Sequence, residues 1–289
     1  MDAARYLKQR QIFWALRRGL DLQGSEGEKG ELAYTRRLEE NLFEPLSDEA
    51  RREFEEGDGG ELDPGRSMSP CKMQAVHSSA ALTVNLFHYW MRRGQIGTVL
   101  HACGLPSGGA ESARFERKFP IAEHVNRSVF PFDPNLDVAV DYGPKAEVKA
   151  VGIECKFTEA FRKHDGLKPA YLEQTELWTD LPNSRGLAEQ IEDKDRQFEY
   201  LHAAQLLKHI LGLKNAYGLR GFRLLYLWCD VPGGKGCDHE KEAQRFSEVV
   251  RQDGVNFQTT TCQEIILNLA EQCRKDHTAY VDYLVERYL

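Results

Sequence analysis

The chain has 289 residues, of which 41% are hydrophobic and 29% are charged, a composition typical of a soluble globular protein with one large domain or a core with an appendage. It contains no run of 18 apolar residues and its N-terminal segment has no uninterrupted apolar stretch, so neither a membrane span nor a secretory signal is predicted. The seven cysteines show no paired spacing, which favours reduced thiols and a cytoplasmic location.

The formal net charge of −7 excludes a protein coated in basic residues, but it does not exclude one that binds nucleic acid, because the position of the charge matters. Residues 1–66 carry 16 acidic and 11 basic side chains, whereas residues 112–168 carry nine acidic and ten basic ones. The charge of the middle of the chain is therefore more compatible with binding a phosphate backbone than the charge of residues 1–66.

Residues 1–70 are predicted to form a helical accessory region for dimerisation or substrate selection. Its clearest amphipathic pieces are YLKQRQIFWALRRGL and LAYTRRLEENLFEPL, and it ends in a Gly/Pro-rich linker over 55–70. Residues 71–289 are predicted to form the main domain. That domain begins with a helix over 73–93, which is apolar on nearly all sides and hence buried, with Gly94 after its last turn.

The next elements are three strand-like runs at 113–121, 135–142 and 146–157, and a turn at Gly143-Pro144 joins the second and third as a hairpin. A long helix is predicted at about 187–212, followed by a buried strand at 221–230 and a helix at 239–252. A short strand at 254–261 precedes the last predicted helix, which begins with a capping box at Thr261. This alternation predicts an α/β fold of three layers, with helices on both faces of a mixed sheet.

Acidic residues alternate with apolar ones in the second strand, where Asp137 and Asp141 share a face. Asp141 is next to the turn and is expected to be solvated. In the third strand Glu154 and Lys156 share a face because they are two residues apart. If the hairpin pairs these strands, Asp137 and Glu154 converge beside Lys156. Two carboxylates suit Mg²⁺, and an ammonium group can position water and offset charge on a phosphate, so the pattern predicts phosphodiester hydrolysis.

The stretch NLDVAVDY with GIECKF resembles the PD-(D/E)xK nuclease superfamily, which has the restriction-endonuclease-like fold. Asp137 matches the aspartate of that motif, Glu154 the second acid and Lys156 the lysine, while Asn135-Leu136 replaces the usual proline. The 17-residue separation of the two acids suits a hairpin. The resemblance covers about 160 residues, from 73 to 230, and the chain as a whole is similar to a bacterial group of restriction-endonuclease-like proteins.

The segment YLHAAQLLKHILGL resembles the helix of these nucleases that carries a glutamine towards the site. Gln205 takes that position, and His202 and His209 lie on the same helical stripe. Many members also place a glutamate on the first helix, but residues 73–93 contain no acid. Glu116 on the first strand is the favoured substitute, with Glu39 as an alternative, and Glu159 is expected to cap the chain or face solvent.

The resemblance implies a Mg²⁺-dependent nuclease that acts on nucleic acid, with DNA and endonuclease action favoured and Mn²⁺ as a substitute ion. Asp137 and Glu154 would bind the metal, Lys156 would assist water and the transition state, and Glu116 and Gln205 would complete the catalytic site. No membrane partner is expected, and the chain is expected to form a homodimer.

Other interpretations remain open at this stage. The same fold can serve a catalytically inactive protein that binds nucleic acid or another partner, and the acid–lysine pair can be an exposed ion pair of little energetic value. The basic loop after the third strand suits a phosphate backbone or solvent equally well; it contains Arg162, Lys163, His164 and Lys168. A zinc site at Cys229, Cys237 and His239 lacks a fourth ligand in the sequence pattern.

Overall fold

A computed structural model of the protein describes residues 2–25, 31–64, 69–123, 130, 132–192 and 197–289. Within these residues a mixed sheet has the strand order β3-β4-β5-β6-β7, and a separate antiparallel pair joins β1 to β2. The strands are β1 (Leu22–Gln23), β2 (Tyr34–Thr35), β3 (Ala110–Lys118), β4 (Asn135–Tyr142), β5 (Ala150–Lys156), β6 (Phe222–Trp228) and β7 (Phe257–Thr261).

Strands β3, β4 and β5 form an antiparallel meander, and β6 and β7 run parallel to β5. The predicted hairpin is confirmed: Tyr142 N donates to Lys149 O at 2.9 Å, and Ala146 N donates to Gly143 O at 2.8 Å. Strand β4 has the predicted bounds, whereas β3 begins three residues earlier than predicted and β5 begins four residues later.

The α-helices of the described ranges are α1 (Ala3–Arg17), α2 (Asp48–Glu56), α3 (Ser79–Arg92), α4 (Ile96–Ala102), α5 (Pro169–Glu173), α6 (Pro182–Gln190), α7 (Ala203–Tyr217), α8 (Gly234–Gln252), α9 (Cys262–Cys273) and α10 (Thr278–Tyr288). Helix α3 lies on the sheet face of Cys155, which contacts Thr83. Helix α7 lies on the opposite face, where a Cβ added to Gly152 would approach Leu213 Cδ1 to 3.0 Å. The predicted three-layer α/β arrangement is confirmed.

The helix predicted over 187–212 is interrupted, because α6 ends at Gln190 and α7 begins only at Ala203. Between them the carboxylate of Glu242 on α8 accepts hydrogen bonds from the backbone N–H groups of residues 199, 200 and 201, at 2.7, 2.9 and 2.9 Å. This side chain satisfies donors that a continuous helix would have used internally. Residues 193–196 of the predicted helix lie outside the described residues.

The second N-terminal helix predicted from the sequence is wrong. Residues 34–35 form a strand and residues 38–41 a single 3₁₀ turn, although α1 and α2 are helical. Asn41 is buried, and its side-chain amide donates to Met73 O at 2.7 Å and to Ala75 O at 2.8 Å. This segment is therefore held by long-range polar contacts that local helical periodicity does not encode.

The apolar core is one cluster that includes residues from Ala3 to Tyr288. Helix α1 packs against α10 and against the 3₁₀ turn Thr158–Phe161. The N-terminal segment thus shares the core of the main sheet, and the predicted division at residue 70 stays a prediction about independent folding. No helix in the described part of the chain is long and apolar enough to cross a membrane.

Candidate active site

Three carboxylates occupy one row across the meander, at the end of the β4–β5 ladder. Phe115 of β3 pairs with Val138 of β4, so the next residue of β3, Glu116, lies across from Asp137. Ile153 of β5 pairs with the same Val138, so the next residue of β5, Glu154, lies on the other side of Asp137. Residues opposite each other in neighbouring strands point to the same face of a sheet. We call Glu116, Asp137 and Glu154 the acidic row, and it lies on the face that α7 covers.

The ladder between β4 and β5 ends at Val138 and Ile153, just before Asp137. The side chain of Asp137 then takes the place of a main-chain acceptor, because its Oδ2 accepts from Cys155 N at 2.6 Å. Burial raises the pKa of Asp137 well above its usual range, and the nearby negative charges of Glu154 and Glu116 raise it further.

Glu154 is the most connected member of the acidic row and is 2% exposed. Its Oε1 lies 2.6 Å from Lys156 Nζ and accepts from Gln205 Nε2 at 2.7 Å, and its Oε2 lies 2.9 Å from His209 Nε2. Burial alone would raise the pKa of Glu154, but Lys156 and His209 outweigh burial and lower the pKa to about 2. The Glu154 carboxylate is therefore ionised at neutral pH.

Lys156 remains a cation although it is largely buried, with 15% of its side chain exposed. Burial would lower its pKa, but the negative charges of Glu154 and Asp137 raise the pKa above its ordinary value. A permanently charged ammonium group cannot accept a proton. Lys156 is therefore suited to stabilising negative charge and to donating hydrogen bonds, and not to acting as a base.

Glu116 has an unusual backbone for a strand residue, with φ of +51°, a region that residues other than glycine seldom adopt. Its Oε2 accepts from the side-chain amide of Asn135. Burial, followed by the charges of Glu61 and Glu154, raises the pKa of Glu116 to about 7. Glu39, the alternative considered from the sequence, is exposed on the 3₁₀ turn of residues 38–41.

The raised pKa of Glu116 predicts how stability depends on pH without metal. The folded protein retains a proton on this group up to about pH 7, whereas the unfolded chain loses it near 4.5, so the free energy of unfolding falls as pH rises between these values. Glu116→Gln should flatten this fall and raise stability at pH 8 by about 1–3 kcal/mol.

Urea unfolding in EDTA from pH 4 to pH 8 measures this effect. Glu147→Gln is the matched control, because Glu147 is an exposed acid in the turn between β4 and β5. A Glu116→Gln profile that runs parallel to the wild-type profile would show that Glu116 is ionised in the folded state well below pH 7.

Helix α7 contributes the polar side chains that hold Glu154. Gln205 donates to Glu154 and its Oε1 lies 2.8 Å from His202 Nδ1, while His209, one turn later, faces the second oxygen of Glu154. The His202 ring stacks on His164 with centroids 4.2 Å apart. Burial lowers the pKa of His202 to about 3, with a further contribution from His164, so His202 is neutral.

Two further carboxylates approach the site. Glu61 follows α2 and interacts electrostatically with Glu116 and Lys156, and burial raises its pKa. Glu61 was not predicted as a site residue, because it lies in the segment predicted to be a linker. Glu159 caps the end of β5: its Oε2 accepts from Phe157 N at 3.2 Å, and its Oε1 accepts from Ser79 Oγ at 2.9 Å. Capping was one of the two roles expected for Glu159.

The other sequence candidates are not members of the acidic row. Arg162, Lys163 and Lys168 are exposed in the loop after β5. His239 is buried, and its Nε2 lies 3.1 Å from the hydroxyl of Tyr226. Cys229 is buried next to Cys262, whereas Cys237 is exposed. These surroundings give no support to a zinc site at Cys229, Cys237 and His239.

The donor set suits a divalent cation. The acidic row and Lys156 together carry a formal charge of −2 when all four groups are ionised, and carboxylate oxygens are the ligands that Mg²⁺ prefers. Within the described ranges no group of three or more His, Cys, Asp or Glu side chains is arranged so that it could hold a metal ion. Mg²⁺ commonly uses only one or two carboxylates and completes its coordination with water and substrate oxygens, so Asp137 and Glu154 fit it as a pair.

The five-stranded mixed sheet between helical layers, with an acid–acid–lysine constellation on adjacent strands, defines a protein of the restriction-endonuclease-like class. The chain belongs to the family described as "Restriction Endonuclease associating with ARP", whose model matches residues 7–289. The match includes most of the N-terminal segment as well as the sheet. Comparisons with curated proteins and with solved structures gave no match.

Proposed function

We propose that the protein is a Mg²⁺-dependent nuclease that cleaves phosphodiester bonds within nucleic acid, with DNA as the favoured substrate and Mn²⁺ as a substitute ion. The observation that carries this proposal is the set of contacts around Glu154. A buried, ionised carboxylate of the acidic row is bonded at once to Lys156 and Gln205, and its charge acts on Asp137 of the neighbouring strand. Membership of a restriction endonuclease family supports the same function.

In this proposal Asp137 and Glu154 hold the cation, which when bound supplies positive charge to phosphoryl oxygens and lowers the pKa of water. Lys156 places its ammonium group against the phosphate, where negative charge grows in the transition state. Gln205 fixes the orientation of Glu154. Glu116, with a pKa of about 7, can take a proton from the attacking water at neutral pH.

The test is incubation of the purified protein with circular DNA, linear DNA and RNA in Mg²⁺, Mn²⁺ or EDTA. Conversion of circular DNA to nicked or linear forms with either ion, and none in EDTA, would support an endonuclease. Cleavage confined to linear DNA would correct the proposal to an exonuclease. Binding without cleavage under all these conditions would favour the alternative, a catalytically inactive protein on the same fold.

Thermal stability gives an independent measure of metal binding. At ten times its dissociation constant, Mg²⁺ should stabilise the fold by about 1.4 kcal/mol and raise the melting temperature by roughly 3–6 °C. Asp137→Asn removes one charge from the acidic row but keeps an oxygen that can accept from Cys155 N. In EDTA this variant should therefore melt at or above the wild-type temperature, and its response to Mg²⁺ should shrink or vanish.

Melting scans of both proteins in EDTA and in saturating Mg²⁺ provide the measurement, with Glu147→Gln as the control for loss of one acidic charge. Asp137→Asn melting well below wild type in EDTA would mean that Asp137 chiefly holds the fold together. An undiminished Mg²⁺ response in the variant would place the ion elsewhere.

A further inference from the structure

A cleft of about 330 Å³ opens directly beside the acidic row. It shares three residues with the site: Asn135, which donates to Glu116, and Gln205 and His209, which contact Glu154. A ligand in this cleft would therefore lie next to whatever occupies the acidic row. The proposed chemistry assigns no role to the rest of its lining.

Two lysines, Lys168 and Lys208, line the cleft. Lys208 is on α7, and its pKa is lowered by burial and then by the charge of Lys168. Within the described residues neither lysine has a carboxylate partner at ion-pair distance. Lys208 Nζ lies 5.4 Å from the ring centre of Tyr171. Asp133 also lines the cleft, and its charge acts on Tyr171. Two lysines against this one carboxylate leave a formal charge of +1 in the lining, which favours an anion.

Aromatic rings form the other part of the lining. Phe130 packs edge-on against Tyr171 with ring centroids 4.7 Å apart, and both rings are buried. Phe132 differs from them because 67% of it is exposed, and it too lines the cleft. An exposed aromatic ring beside lysines is the combination that proteins use to bind single-stranded nucleic acid, by stacking a base while cations hold its phosphate.

We propose that this cleft is the subsite for the nucleotide next to the cleaved bond, in which Lys168 and Lys208 bind the flanking phosphate and Phe132 stacks on an unpaired base. The inference rests on the proposed nuclease function and specifies its substrate. Bases inside a duplex have both faces covered by their neighbours, so stacking on Phe132 requires a base that is single-stranded or displaced from the helix. The substrate class is therefore DNA with an unpaired nucleotide at the site of cleavage.

Binding in EDTA tests the subsite without any cleavage. The probes are a labelled single-stranded DNA and the same strand annealed to its complement, titrated at several salt concentrations. Each lost phosphate contact should lower the slope of log affinity against log salt by about 0.7 for a single strand. Lys168→Gln/Lys208→Gln should therefore lower the slope by about 0.7, and Lys168→Gln alone should lower it by a smaller amount, because Lys208 still contacts the phosphate. The single variant changes only an exposed side chain, so it tests the site even if the double variant is unstable.

Phe132→Ala should weaken binding of the single strand about 5- to 150-fold, which corresponds to the loss of one base stack, and should leave duplex binding nearly unchanged. The matched controls are Lys241→Gln/Lys275→Gln for charge and Leu267→Ala for loss of an exposed apolar side chain. None of these residues lines the cleft.

The subsite would be overturned if the lysine variants keep the wild-type salt slope. It would also be overturned if Phe132→Ala loses single-strand and duplex binding equally. Failure of the wild-type protein to bind either probe would overturn it as well. Metal-dependent cleavage that persists unchanged in these variants would leave the nuclease proposal standing without the subsite. If the variants bind DNA as expected but the wild-type protein cleaves nothing with any metal ion, the cleft binds nucleic acid and the proposed nuclease activity is refuted.

Discussion

Lys156→Ala is expected to lower the rate of metal-dependent cleavage by about 100- to 1,000-fold, the cost typical of removing one preorganised group that stabilises transition-state charge. Lys156 is the ammonium group bonded to Glu154 at 2.6 Å, and its pKa is raised, so it is charged at every pH at which the enzyme would be assayed. The variant should remain folded and bind substrate, because the core beneath the acidic row consists of apolar side chains on the opposite face of β5.

Single-turnover cleavage with Mg²⁺, together with binding in EDTA and a melting scan, measures these three properties. Lys241→Ala, which removes an exposed lysine on α8, is the control and should behave as wild type. Cleavage of Lys156→Ala at near wild-type rate would remove Lys156 from the mechanism. A variant that no longer unfolds cooperatively would indicate that the Glu154–Lys156 pair is structural, and Lys156→Gln would then be needed to separate charge from packing.

Arg287→Met should lower the free energy of unfolding by at least about 3 kcal/mol, because it leaves several buried acceptors without a donor. Arg287 is on α10 and is 1% exposed. Its guanidinium group donates to the carbonyl and side-chain oxygens of Asn41 at 2.7 and 2.6 Å and to Gln11 Oε1 at 3.1 Å, and it lies 4.2 Å from the ring centre of Trp14. Methionine fills a similar volume but donates no hydrogen bond.

Urea unfolding measures the change, and Arg274→Met is the control. Arg274 forms an exposed ion pair with Asp282 at 2.7 Å, so its loss should change stability by less than about 1 kcal/mol. Because Arg287 joins the last helix to residues before position 70, the same measurement bears on the predicted division of the chain. A loss of under 1 kcal/mol in Arg287→Met, together with a cooperative transition in a fragment of residues 71–289, would support an independent accessory region.

Asp137, Glu154 and Lys156 could be predicted from the sequence because their spacing is local, whereas Glu116 was predicted as a substitute for an acid that the family resemblance implies. Strict alternation in β4 and the i, i+2 relation of Glu154 and Lys156 assign faces without any knowledge of the rest of the fold. The Gly143-Pro144 turn then sets which strands pair. Gln205 was predicted from the resemblance of its segment to the glutamine-bearing helix of these nucleases, and helical periodicity added only that it shares a stripe with His202 and His209.

Contacts between distant segments could not be predicted in this way. Glu61 follows a glycine-rich stretch with no periodicity, and only the packing of α2 against β3 brings it near Glu116. The N-terminal strand and 3₁₀ turn depend on Asn41, whose partners lie more than 30 residues away. The break before α7 depends on Glu242, about 40 residues downstream of the N–H groups that it caps. Each outcome depends on a tertiary contact that local preference does not encode; for Asn41 and Glu242 that contact is a hydrogen bond.

The end of the β4–β5 ladder gives the candidate site its own spectroscopic reporter. The amide proton of Cys155 is hydrogen-bonded to the side-chain carboxylate of Asp137 and not to a main-chain carbonyl of β4. Its chemical shift and its exchange with solvent deuterium therefore depend on the ionisation and position of that one side chain. Neighbouring amides in the regular ladder lack this dependence. If a cation draws the carboxylate of Asp137 away, this amide loses its acceptor and exchanges faster while the rest of the sheet becomes better protected. Faster exchange at the Cys155 amide, with slower exchange in the rest of the sheet, would thus report that a cation occupies the site, without any substrate, product or turnover.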